Sequence, residues 1–80
     1  MKTITKTFKN DTRGKMKLTV GINPEYKSWK TNPHHYYGIP HKYWVGITYL
    51  DDYGITETYN SSDNLEAMIT TFNEVLEEAA

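Results

Sequence analysis

The chain contains no cysteine, which excludes a disulfide framework, a thiolate metal site and a cysteine nucleophile. That absence suits a reducing compartment. Nowhere does an apolar run approach the roughly 18 residues that a membrane-spanning helix needs. Behind the opening Met1-Lys2-Thr3-Ile4-Thr5-Lys6 there is no apolar stretch of the kind a secretory leader carries, so a soluble, cytoplasmic chain with no membrane association is expected. There is no phosphate-binding glycine loop either, because Gly38 and Gly54 are isolated and precede no helical pattern. The most informative absence is of one charge sign: beyond Lys42 there is neither lysine nor arginine.

What is present fits a single small domain. The 80 residues leave room for one core, and chains of this size bury little more than about 60% of their unfolded surface. All nine basic residues lie in 1–42 with only Asp11 and Glu25 against them, a net +7, and the remainder carries eight acids alone, a net −8. Such asymmetry implies either internal neutralisation in the fold or surfaces of opposite sign that meet a charged partner.

Residues 2–22 read as a hairpin. Ile4, Lys6 and Phe8 alternate with Thr3, Thr5 and Thr7, and Met16, Leu18, Val20 and Ile22 alternate with Lys15, Lys17, Thr19 and Gly21. This is the period of a half-buried strand. Between the two runs, Asn10-Asp11-Thr12-Arg13-Gly14 supplies turn chemistry. Residues 23–42 form a polar, aromatic connection with three prolines, expected to be an ordered loop with a helical turn near Glu25–Trp29. A second hairpin follows over 43–60, turning at Asp51-Asp52-Tyr53-Gly54, with Ile55, Glu57 and Tyr59 on the inward side of its second strand. The last element, 61–79, is an amphipathic helix capped by Ser61, Ser62 or Asp63, with Leu65, Met68, Ile69, Phe72, Val75 and Leu76 on one stripe. The expected fold is therefore α+β: an antiparallel sheet of about four strands, β-β-β-β-α, with the helix packed on one face. The core would comprise Ile4, Phe8, Met16, Leu18, Val20, Ile22, Val45, Ile47, Tyr49, Ile55, Tyr59 and the helix stripe. The other face is rich in threonine, with Lys15, Lys17 and Trp44 on it, and is either solvated or the seam of a homodimer.

No catalytic constellation stands out. His34, His35 and His41 invite a zinc reading, but adjacent histidines diverge and no thiolate joins them, so neither a metal nor a cofactor is expected. Asp51 and Asp52 are explained as turn residues, and Ser61 and Ser62 as caps. Glu57 is the one acid expected to be partly buried, and a lone acid on an edge strand is more often paired with lysine than catalytic. The chemistry that remains is aromatic. Trp29, Tyr36, Tyr37 and Trp44, with His35 beside them, are the residue types that anchor protein interfaces. The same aromatics, interleaved with Lys27 and Lys30 and accompanied by Lys15 and Lys17, could instead face nucleic acid. Folding back into a satellite core is the third use.

The segment from Gly46-Ile47-Thr48 through Asp51-Asp52-Tyr53-Gly54 and Tyr59-Asn60-Ser61-Ser62 to Leu65-Glu66-Ala67-Met68-Ile69 resembles the strand–turn–strand–helix ending of very small phage-encoded proteins, including anti-CRISPR inhibitors. The resemblance implies a protein of the host-cell cytoplasm that blocks a host or defence complex by stoichiometric binding. The acidic contacts would then fall on Asp51, Asp52, Asp63, Glu66, Glu74, Glu77 and Glu78. The same ending is similar to the three-stranded-sheet DNA-binding domains of phage integrase arms and plant ethylene-response factors. Here Tyr43–Tyr59 carries no Lys or Arg to neutralise phosphate, the term that dominates such affinity. A non-enzymatic binding protein with a host or defence complex as partner is therefore the first expectation, and a small nucleic-acid-binding domain the second.

Overall fold

The computed structural model describes residues 3–79, so the expected start of the first hairpin at Lys2 lies outside the described residues. Within them is an α+β fold: β1 (Ile4–Asn10), β2 (Gly14–Ile22), α1 (Pro24–Thr31), a 3₁₀ turn (Pro33–His35), β3 (Tyr43–Tyr49), β4 (Ile55–Ser62) and α2 (Leu65–Ala79). The four strands form one antiparallel sheet in the order β1-β2-β3-β4, so each pairs with its neighbour in sequence.

Both hairpin turns form for local reasons. The Asn10 side chain accepts from Thr12 N–H at 2.9 Å and Arg13 N–H at 3.0 Å, and Gly14 then adopts φ 77°, where a Cβ would be strained. In the second turn Gly54 N–H returns to Tyr49 C=O at 3.1 Å. Asp51 Oδ2 accepts from Lys15 N–H at 2.8 Å, which ties the β3–β4 turn to the start of β2.

α2 packs chiefly on β2, β3 and β4, and the core lies between. Met16, Leu18, Val20, Val45 and Ile47 from the sheet meet Met68 and Phe72 from the helix, with Phe8, Tyr43, Tyr49, Val75 and Leu76 around them. Register explains the set, since Leu18 faces Ile47 and Val20 faces Val45 on the helix-covered side. Ile4, Ile55, Tyr59 and Ile69, expected in the core, are exposed. A helix is about 10–12 Å across with its side chains. Four strands at about 4.8 Å spacing make a wider sheet, so the outer strands overhang. Tyr59 has a further reason. Val45 pairs with Asn60 and Gly46 with Thr58, leaving Tyr59 as the extra residue of a bulge.

Three local expectations are corrected. β4 continues through Ser62, and α2 begins at Leu65 with Asn64, not Ser61, Ser62 or Asp63, holding its first turn. Asn64 Oδ1 accepts from Ala67 N–H at 3.2 Å, while Ser62 Oγ accepts from Asn64 N–H at 3.0 Å. Glu57 is exposed and pairs with no lysine among the described residues; its carboxylate accepts a long 3.4 Å bond from the Tyr49 hydroxyl. No helix among the described residues is long and apolar enough to cross a membrane.

Candidate functional site

The connection between β2 and β3 carries Tyr26, Trp29, Tyr36 and Tyr37, and its folding starts from Asn23. This is the one buried polar side chain among the described residues, 3% exposed. Its Oδ1 accepts from Glu25 N–H at 3.0 Å and its C=O from Lys27 N–H at 3.1 Å, which caps α1, with Pro24 filling the first helical position. Its Nδ2 donates to His41 C=O at 2.9 Å, and its own N–H donates to Lys42 C=O at 2.8 Å. One residue therefore starts the excursion and clamps its return. A second clamp comes from Asp63, whose Oδ1 accepts from Lys42 N–H at 2.9 Å and stands 3.5 Å from His41 Nδ1.

α1 packs chiefly on the 3₁₀ turn, with Tyr26 and Trp29 half-buried against each other at 5.4 Å between ring centroids. Lys30 Nζ lies 5.4 Å from the Tyr26 ring, so α1 holds its aromatic pair beneath a cation. His34, His35, Tyr36 and Tyr37 line a shallow open depression. Tyr36 is half-buried; Tyr37 is fully exposed, and Ile39 is 72% exposed. The loop therefore does not fold back into a closed satellite core. His34, His35 and His41 do not converge on an ion, since among the described residues no group of three His, Cys, Asp or Glu side chains is placed to hold one.

Trp44, expected as an exposed contact, is 8% exposed. It does point to the uncovered face, but Gly46, two residues on and pointing the same way, has no side chain, and the indole lies over it. Asn23, Pro24, Glu25, Thr56 and Thr58 surround what remains open. Asp51 is likewise occupied, through its bond to Lys15 N–H.

The remaining acidic candidates lie elsewhere. Asp52 sits in the turn beyond Tyr49, one strand length from the loop stems at Tyr43, and seven residues of strand span about 23 Å. α2 starts beside the loop stem, where Asp63 bonds Lys42, and must run back over the sheet. Its 15 residues span about 22 Å, carrying exposed Glu74, Glu77 and Glu78 toward the hairpin-turn end. The molecule, 41 Å in its longest dimension, thus has an aromatic loop at one end and an acidic group at the other. Internal neutralisation does not occur by contact. Among the described residues the one contact within 4 Å between a basic side chain and a carboxylate is His41–Asp63, and no lysine or arginine meets a carboxylate.

Sequence reading passed over Asn23 and Ile39, and it took Asp63 for a helix cap or an acidic contact when its carboxylate closes the loop stem at Lys42. The signal for the first was available: Asn-Pro-Glu is a cap followed by a favoured first helical residue, where sequence reading took Asn23 only as the start of the 23–42 connection. Asn23→Ala is expected to lower stability by about 1–3 kcal/mol, because it orphans the His41 carbonyl and uncaps α1. Asn23→Asp keeps the cap but sets a carboxylate oxygen against the His41 carbonyl, so it breaks the loop tie without uncapping α1, at the added cost of a buried charge. Urea midpoints and amide exchange over 33–42 read the two effects, and a cost below about 0.5 kcal/mol for both would remove the clamp assignment.

No protein-family model matches the chain, and no curated protein or solved structure does so either.

Proposed function

We propose that this chain is a non-enzymatic binding protein that uses the loop over 33–42 to occupy a pocket on a protein partner, and so blocks that partner stoichiometrically. One observation carries the reading. Tyr37 and Ile39 stand in water on a loop whose two stems are fixed by Asn23 and Asp63. An exposed tyrosine beside an isoleucine loses apolar hydration when a pocket closes over it, and fixed stems reduce the ordering entropy that binding must overcome. Trp29, His35 and Tyr36 form the surround that would keep water out. A host or defence complex, of the kind the small phage inhibitors engage, is the partner class that the charge style supports. The acidic group of Asp52, Glu74, Glu77 and Glu78 would be a second contact only for a partner that spans the length of the sheet.

Tyr37→Ala combined with Ile39→Ala is expected to weaken capture of the partner by at least about 30-fold, the loss of a two-kilocalorie anchor. The urea midpoint should not change, because neither side chain is buried. The assay is tagged capture from lysate of the source cell, with and without nuclease, followed by titration against the protein recovered. Undiminished affinity of the double variant would refute the loop as anchor, and recovery of nuclease-sensitive material alone would refute a protein partner.

A further inference from the structure

A second surface lies on the sheet face opposite α2. Because Met16, Leu18 and Val20 point into the core, Lys15, Lys17 and Thr19 point the other way, and register carries this across the sheet. Lys17 lies between Thr7 and Thr48, which in turn faces Thr56, and Lys9 faces Lys15. The Thr48 and Thr56 hydroxyls are 2.8 Å apart and bond to each other. None of the strand positions on this side is a carboxylate. Asp51 borders the face at Lys15, but its Oδ2 is held by that residue's backbone N–H and its carboxylate pairs with no lysine among the described residues. The face thus offers three unpaired cations beside hydroxyl donors.

From this we infer that the open face binds the sugar-phosphate backbone of a nucleic acid, independently of the loop and without reading bases. Charge complementarity selects the occupant. Lysines and threonine hydroxyls are standard donors to phosphate oxygens. Lys15 and Lys17, two residues apart on one strand, have Cα atoms separated by about 7 Å, close to the spacing of successive phosphates on one strand. A second copy meeting this face with its own would set lysine against lysine, which disfavours the homodimer seam. Base stacking is absent from the scheme because Trp44, the aromatic residue on this side, is covered. The acids of α2 are on the far side of the sheet from the phosphates.

The test is fluorescence anisotropy of the full chain with a labelled duplex of about 20 base pairs, titrated at several salt concentrations between about 20 and 200 mM. Three phosphate contacts predict a slope of log affinity against log salt of about −2.7, with no preference among sequences of equal length. Lys15→Ala with Lys17→Ala should weaken binding at least about ten-fold at low salt and reduce the slope by about two, with an unchanged circular-dichroism spectrum. The Tyr37→Ala, Ile39→Ala variant should bind the duplex as the parent does, which separates failure of this inference from failure of the loop reading. No measurable binding at the lowest salt, or equal binding by the lysine variant, would overturn the inference. So would displacement of the duplex by polyglutamate at equal charge, which would give the face to an acidic protein, or salt-sensitive self-association lost in the lysine variant, which would give it to the acidic helix of a second copy.

Discussion

Leu18→Ala is expected to destabilise the protein by about 2–5 kcal/mol, a large share of all the stability it has. Leu18 is fully buried at the middle of β2, with Ile47 across the ladder and Met68 and Phe72 in the same cluster. Truncation removes apolar burial and leaves a void walled by two strands and a helix, which cannot all move inward together. Marginal stability of about 0.05–0.15 kcal/mol per residue gives a chain of 80 residues roughly 4–12 kcal/mol in total. With stability at the lower end of that range and a loss at the upper end of its own, the variant would be largely unfolded at room temperature. The urea midpoint measures it, with Ile55→Ala as the contrast: that side chain lies on the overhanging edge, is exposed, and should cost less than about 1 kcal/mol. Equal losses at the two positions would contradict the placement of the core.

Gly46→Ala should expel the Trp44 indole from the sheet. A Cβ at position 46 would overlap Cη2 and Cζ3 of that ring and stand 2.8 Å from Cζ2. The backbone there is extended, so alanine is sterically acceptable to the main chain, and the three atoms nearest the added Cβ all belong to the indole. Overpacking of this kind costs about 1–3 kcal/mol, and the displaced ring would also uncover apolar surface beside Pro24. In a Trp29→Phe background the single remaining tryptophan reports directly: emission should shift to the red and quenching by iodide should rise. An unshifted spectrum with an unchanged melting midpoint would mean that the ring does not lie over Gly46.

These two sites mark where sequence reading succeeded and where it stopped. Leu18 was legible because alternation assigns a side to every residue of a strand, and the Lys15–Ile22 run keeps that alternation throughout. The stripe on α2 was legible for the same reason at a period of 3.6. Alternation assigns a side; it does not say whether anything covers that side. Ile4, Ile55 and Tyr59 were therefore placed in the core, although one helix cannot reach over four strands and a bulge turns the register at Tyr59. Trp44 failed in the reverse direction: its side of the sheet is not the one α2 covers, yet the missing side chain at Gly46 makes a seat for it. Trp-x-Gly within a strand carries that information, since residues two apart share a face. At the candidate site the aromatic content of 23–42 was visible, and so was the unusual length of the connection. What could not be read was the Asn23–His41 and Asp63–Lys42 closure, which depends on bonds spanning 18 and 21 residues.

That closure has a bearing on how the chain can change over time. The sheet is a plain meander whose neighbouring strands are adjacent in sequence, and the excursion enters and leaves it at one point, where Asn23 meets Lys42. Loop-closure entropy rises only about 0.6 kcal/mol for each doubling of length, so residues inside the ring can be replaced, added or deleted at small thermodynamic cost. The core residues lie outside the ring and are indifferent to its content. Selection acting on Tyr36–Pro40 would therefore operate almost free of the constraint to fold. A partner that altered its pocket could be followed by change in a handful of positions, while the scaffold stayed as it is.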